Sequence, residues 1–234
     1  MVVGLGGVGS WAVEALARSG VGMLTLVDLD DLCLTNTNRQ IHAVTSTIGR
    51  SKAAVLAERV HAINPEARCQ VEESFYTEKN SPALLVRAPD LVIDAIDSVR
   101  PKCHLLATCH SQGLPVIACG GAGGRIDPGQ VRIDDLSRTH GDPLLLSVRK
   151  RLRAEYQFPK ADPVKKKSRK FAVPAVFSPE SPRFPGCDGE ITHERPAGLP
   201  GTIKCDAGYG AATHVTATFG HHLASWVLNE LAKG

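Results

Sequence analysis

A chain of 234 residues is long enough to bury about 70% of its unfolded surface in one core, with no need of disulfides or metals as staples. Its 43% hydrophobic and 22% charged residues exclude a disordered, fibrous or collagenous protein. Seven cysteines, an odd number without any CxxC pair, exclude the usual disulfide and zinc frameworks and fit a reducing compartment.

The chain opens on an apolar run, Met1–Leu5, read as a strand, with neither the basic stretch nor the cleavage site of a secretory signal. Val8–Arg18 has an apolar face (Val8, Ala12, Ala15, Leu16) at helical spacing and stops at Gly20. Leu24–Val27 is a short, continuously apolar strand, the pattern of a sheet covered on both faces. A helix is predicted over 51–63, ended by Asn64-Pro65. Cys69–Glu73, Leu91–Ile96 and Val116–Cys119 read as further strands, with a helix over Pro101–Gln112. Repeated βα units predict an α/β chain with a Rossmann-like, doubly wound, mostly parallel sheet over residues 1–135.

Beyond Gly120 the pattern changes. Gly120–Gly124 is too glycine-dense for a regular element, and Gln130–Ile133 reads as one more strand. Residues 136–234 are expected to form a C-terminal extension. Eight of the fifteen prolines fall between Pro159 and Pro200, so 159–200 reads as a mobile insertion, followed by a final helix over 211–231. Tyr209–Leu228 lacks Lys, Arg, Asp and Glu, but its three histidines and many small residues predict a buried or interface helix, and membrane association is not expected. Gly210, Ala211, Ala217, Gly220 and Ala224 would let another helix approach closely, as in a homodimer seam. The net charge is +3, yet residues 146–170 alone carry +8 and leave −5 for the remainder. That strip, with Arg149, Arg151, Lys165, Lys166, Lys167 and Arg169, reads as a polyanion-binding surface.

Gly4-Leu5-Gly6-Gly7-Val8-Gly9 fits GxGxxG between a strand and a helix. Gly4 would make the turn, Gly6 and Gly7 would let backbone approach a phosphate at the helix N-terminus, and Gly9 would permit close helix–strand packing. Asp28, at the end of the second strand, is placed to accept hydrogen bonds from a ribose. The loop itself suits a dinucleotide or ATP equally. Arg39 and Lys52, converging from the next segment, favour the more negative tail of a triphosphate. Asp94-Ala95-Ile96-Asp97-Ser98 puts two carboxylates at the carboxyl edge of the sheet; Asp94 is expected to be structural and Asp97 to be the Mg²⁺-binding or catalytic carboxylate.

These motifs (GLGGVG, VDLDDLCLTNTNRQ, Lys52 and DAIDS) together resemble the E1-like, ubiquitin-activating-type adenylating enzymes over nearly all of residues 1–135. Gly9–Ala12, TNTNRQIHA at 35–43, DSVRPK at 97–102, GGAGGRIDP at 120–128 and VFSPE at 176–180 are similar to the tRNA threonylcarbamoyladenosine dehydratase group within it. The resemblance implies ATP with Mg²⁺, ribose contacts at Asp28 with Asp30 nearby, and phosphate contacts at Gly7, Asn36, Arg39 and Lys52. It also implies catalytic roles for Asp97, Arg39 and Lys52, and a tRNA carrying N6-threonylcarbamoyladenosine as substrate. A cytoplasmic homodimer, a sulfur-relay protein partner and an accessory thiol at Cys205 belong to the same expectation, with a buried structural Cys205 as its alternative. Relatives carry a further N-terminal segment, and this chain is expected to be truncated there. Two other readings stay open: an adenylyltransferase for a ubiquitin-like sulfur carrier, and a non-catalytic nucleotide-binding protein.

Overall fold

The computed structural model describes residues 1–86, 89–160, 169–185, 191–192 and 210–233. The front of the chain alternates strand and helix: β1 (Val2–Val3), α1 (Gly9–Arg18), β2 (Met23–Val27), α2 (Lys52–Ile63), β3 (Arg68–Glu72), α3 (Ser81–Leu85), β4 (Val92–Asp94), α4 (Val99–Gln112) and β5 (Val116–Cys119). There follow β6 (Arg132–Asp135), α5 (Pro143–Glu155), β7 (Pro174–Phe177), the short pair β8 (Phe184–Pro185) and β9 (Ile191–Thr192), and α6 (Thr213–Leu231).

Seven strands form one sheet in the order β3-β2-β1-β4-β5-β7-β6, and β6, antiparallel to β7, supplies its one reversed edge. Alternate residues along each strand enter opposite cores. Val2, Leu24, Leu26, Ile93, Ile117 and Val176 pack beneath α1, α2 and α6. Val3, Val27, Val92, Val116, Ala175 and Phe177 pack beneath α4 and α5. Both faces are therefore dry, which is why these strands read as continuous apolar runs.

Two expectations about the second half are corrected. Pro174–Phe177, placed in a mobile insertion on its proline content, is β7, paired with β5 on one side and β6 on the other. The sheet thus runs across the boundary expected at 135. Residues 143–155, which take in the first part of the basic strip expected over 146–170, form α5, whose Leu145, Val148 and Leu152 are fully buried. Residues 161–168, 186–190 and 193–200 of the expected insertion lie outside the described residues.

The small residues of α6 also find a partner within the chain. A Cβ on Gly220 would lie 2.6 Å from Trp11 Cβ and 2.8 Å from the Ala12 nitrogen, so α6 seats directly on α1. The seam expected between two copies is, at Gly220 and Ala224, an internal contact. Among the described residues no helix is long and apolar enough to cross a membrane.

Candidate functional site

The strand order reverses at β1, which has β2 on one side and β4 on the other. Loops leaving β1 and β4 diverge there, and a crevice at the carboxyl ends is the expected result. The cavity occupies about 860 Å³, at the large end of ligand sites.

Its floor is the loop from β1 into α1. Gly4 adopts φ +90°, and a Cβ there would lie 2.7 Å from the Ala95 carbonyl oxygen. A Cβ on Gly9 would come within 1.9 Å of the Gly4 carbonyl oxygen, so this position admits hydrogen alone. Gly6 and Gly7 line the cavity, and nothing lies within 4 Å of the Gly6 Cβ position. Gly9 lies behind them as packing, as its place in the motif predicts.

Asp28 closes one wall and is only 7% exposed. Its carboxylate accepts the Leu5 N–H at 2.6 Å and the Asp30 N–H at 2.9 Å, which ties the end of β2 to the glycine loop. Burial pushes its pKa above the ordinary carboxylate value, against the pull of those N–H groups and of Lys52. Lys52 is the first residue of α2, a helix capped by Ser51, whose hydroxyl accepts the Ala54 N–H. Its ammonium donates to Asp30 at 2.8 Å, with Lys52 buried and Asp30 half exposed. An ammonium has three donors, so it can hold Asp30 and still meet an anion in the cavity.

Arg39 reaches the cavity with its stem against Gly7. Asp97 enters it exposed from the loop after β4 and takes no hydrogen bond or ion pair among the described residues. Asp94, three residues earlier, is fully buried and ion-paired with Lys102 at 2.9 Å. The two carboxylates have separate places, as expected, but β4 ends at Asp94, so the separation comes from the loop that follows and not from strand alternation.

Asn36 stands apart. It is buried, its carboxamide oxygen accepts the Cys33 N–H at 3.0 Å, and it is not among the residues lining the cavity. The geometry makes it a turn-capping residue of the segment that carries Arg39. Arg149 likewise leaves the basic strip: it is 9% exposed, and its guanidinium donates to the Thr139 hydroxyl. Arg151 is partly exposed and paired with Glu155 at 2.8 Å, and Arg169 is exposed. Lys165, Lys166, Lys167 and Cys205 lie outside the described residues. Burial raises the thiols of Cys103, Cys109 and Cys119 to about 12, which leaves them protonated and unreactive at neutral pH.

Sequence reasoning missed the cavity's far wall. Gln40, Phe75, Lys79 and Arg100 line it, and so do Ala211, just before α6, and Thr216, in its first turn. Phe75 is 53% exposed in a polar loop just past the end of β3, an aromatic standing in solvent at a strand's carboxyl end, which only the folded structure reveals. Among the described residues no three His, Cys, Asp or Glu side chains cluster as a metal cage. The exposed Asp97 carboxylate, on the same cavity as Arg39 and Lys52, suits Mg²⁺, which is commonly held by one or two carboxylates plus substrate phosphates.

Residues 1–180 match the ThiF family. The chain belongs to that family. Among similar proteins, the tRNA threonylcarbamoyladenosine dehydratase of Escherichia coli (strain K12) is 47% identical over 231 residues, covering 98% of this chain and 84% of the relative. The enzyme of the same name from Haemophilus influenzae is 47% identical over 236 residues, covering 99% and 85%. The crystal structure of the E. coli dehydratase, TcdA, in complex with ATP superposes with a TM-score of 0.84 at 45% identity, covering 99% of this chain and 85% of that one. This ThiF-family chain therefore shares its fold with a protein solved with ATP bound.

Proposed function

We propose that this chain is an ATP-dependent dehydratase of tRNA, which activates the carboxylate of N6-threonylcarbamoyladenosine by adenylation so that the side chain closes into a ring. The observation that carries the reading is the convergence of Gly6, Gly7, Asp28, Arg39, Lys52 and Asp97 on one cavity at the sheet's switch point. Near-full-length identity to dehydratases supports it.

The chemistry follows from what each group offers. A carboxylate is a poor electrophile. Its oxygen attacks the α-phosphorus of ATP, the bond to the β-phosphate oxygen breaks, and pyrophosphate leaves. Arg39 and Lys52 face the charge that grows on the departing pyrophosphate, and the N-terminus of α1 adds oriented N–H groups. Asp28 orients the ribose, with Asp30 holding Lys52 in place. Asp97 is the residue that would hold Mg²⁺, which screens phosphate charge when bound. A nitrogen of the substrate's own side chain then attacks the acyl carbon, the C–O bond to the phosphate breaks, AMP departs, and the nitrogen loses its proton to solvent. Proximity within one substrate supplies the rate, so no enzyme nucleophile is needed.

The basic strip, with Arg169 and the lysines at 165–167, supports contact with tRNA phosphates and a steep salt dependence. A tRNA substrate supports a cytoplasmic location. The family likeness extends the proposal to a homodimer, to a sulfur-relay protein partner and to an accessory role for Cys205. Exchange of labelled pyrophosphate into ATP tests the reading. Stimulation by tRNA carrying threonylcarbamoyladenosine, and not by a ubiquitin-like sulfur carrier, is expected; stimulation by the carrier alone would replace this function with the adenylyltransferase one.

A further inference from the structure

Arg39 is held from two sides by residues to which the sequence motifs assign no role of their own. Its backbone carbonyl accepts the indole N–H of Trp11 at 3.0 Å from α1. The Thr216 hydroxyl of α6 lies 3.3 Å from the same oxygen. At the other end of the residue, Nη1 donates to the Asn38 carboxamide oxygen at 3.0 Å and to the Thr35 carbonyl at 2.8 Å. Asn38 is itself tethered: its Nδ2 donates to the Ala211 carbonyl at 2.9 Å, and its own carbonyl accepts the Thr213 hydroxyl. Backbone and head group of Arg39 are therefore both fixed relative to the start of α6, more than 170 residues away in sequence.

That arrangement carries a physical consequence. An arginine loses several rotatable bonds' worth of freedom when it grips a phosphate. Restraint in advance removes part of that cost, and a guanidinium aimed by a planar carboxamide keeps its donor fork in a defined plane. Ala211 and Thr216 line the cavity beside Arg39, and Gly220 brings α6 close enough to α1 for Trp11 and Thr216 to share one acceptor.

We infer that Trp11 and Asn38 are positioning residues for Arg39, and that through them the C-terminal helix forms a working wall of the nucleotide site. Trp11 sets the height of the Arg39 backbone above Gly7. Asn38 sets the direction of its guanidinium and couples it to α6. The inference rests on the proposed role of Arg39 as a ligand of the ATP phosphates.

The test measures ATP and AMP affinities by calorimetry for the full chain, Trp11→Phe, Asn38→Ala and Arg39→Ala, and for each of the first two combined with Arg39→Ala. Arg39→Ala is expected to weaken ATP about tenfold or more while AMP changes little, because a charge-assisted bond to the polyphosphate is lost. Trp11→Phe, which keeps an aromatic ring, and Asn38→Ala should each weaken ATP by roughly three- to tenfold with AMP again spared. In the Arg39→Ala background both should add nothing, the mark of residues that act through one another. A merely structural role would weaken ATP and AMP alike and would persist without Arg39. An unchanged ATP-to-AMP ratio in Trp11→Phe and Asn38→Ala, alongside a normal loss in Arg39→Ala, overturns the positioning alone. Wild-type ATP affinity in Arg39→Ala overturns the phosphate role of Arg39 and the positioning with it.

Discussion

The Lys102 ammonium lies 2.9 Å from the Asp94 carboxylate, and neither side chain has any solvent exposure. Lys102 also donates to the Ile96 carbonyl at 2.9 Å and lies 3.3 Å from the Asp94 carbonyl, while Asp94 Oδ1 accepts the Ile96 N–H at 3.1 Å. One buried ion pair thus staples the loop that delivers Asp97 to the cavity. Burial drives the Asp94 carboxyl upward in pKa, with the Lys102 charge opposing it.

Replacing one partner leaves the other charge buried and alone. Lys102→Met should lower stability by about 3–5 kcal/mol, whereas the double variant Asp94→Asn, Lys102→Met should recover part of that loss because no charge is stranded. Urea unfolding at neutral pH measures both. A loss below about 1 kcal/mol, the scale of an exposed pair, would contradict the stapling role.

The glycine loop separates packing from binding. Gly9→Ala forces a methyl group onto the Gly4 carbonyl and should prevent a stable fold, seen as loss of soluble protein or of a cooperative melt. Gly6→Ala meets open space. It should keep its melting temperature within a few degrees, since ~1 kcal/mol is the scale of such a surface change, while weakening ATP.

Much of this architecture is legible in the amino-acid sequence. The βα alternation over 1–119 shows because the central strands β1, β2, β4 and β5 are short, largely apolar runs between helices, while the edge strand β3 (Arg68–Glu72) is mixed and half-exposed. The DAIDS stretch shows two carboxylates at the end of a strand, but β4 stops at Asp94, so it is the loop after it, held by the Asp94–Lys102 pair, that brings Asp97 to the cavity. β7 is not legible: Pro174–Phe177 is four residues among prolines and charges, and its burial arises only because β5 and β6 flank it. Arg149 misleads for a related reason, since a cation on the apolar face of α5 has the same letter as one on its wet face. Gln40, Phe75 and Arg100 reach the cavity from three separate segments, and no spacing in one segment reports on such a meeting.

His42 gives the pH dependence. Its ring is 2% exposed, and burial, together with the Lys52 and Arg59 charges, lowers its pKa from 6.5 to about 3. The folded protein keeps it neutral while the unfolded chain protonates it. Stability from this group is therefore complete above pH 6.5 and is lost as the pH falls from there toward 3. Between pH 6.5 and 4.5 the loss should reach about 2 kcal/mol, and His42→Gln should flatten the profile over that interval. Parallel stability profiles for the two proteins would contradict it.

The basic strip divides into a buried and an exposed part. Arg149→Met removes the bond to Thr139 and should destabilise by about 1–2 kcal/mol. Arg169→Glu, on an exposed residue, should leave stability within about 0.5 kcal/mol while weakening tRNA and lowering the salt slope by roughly one. Thermal melts and filter binding at several salt concentrations separate the two.

Isotope transfer reaches the centre of the account. A tRNA whose threonyl carboxylate carries ¹⁸O is incubated with the purified chain, ATP and Mg²⁺, and the nucleotide products are weighed by mass spectrometry. Adenylation predicts AMP carrying one heavy oxygen for each ring closed, with unlabelled pyrophosphate. Heavy oxygen in inorganic phosphate, or ring closure with no AMP formed, would contradict it.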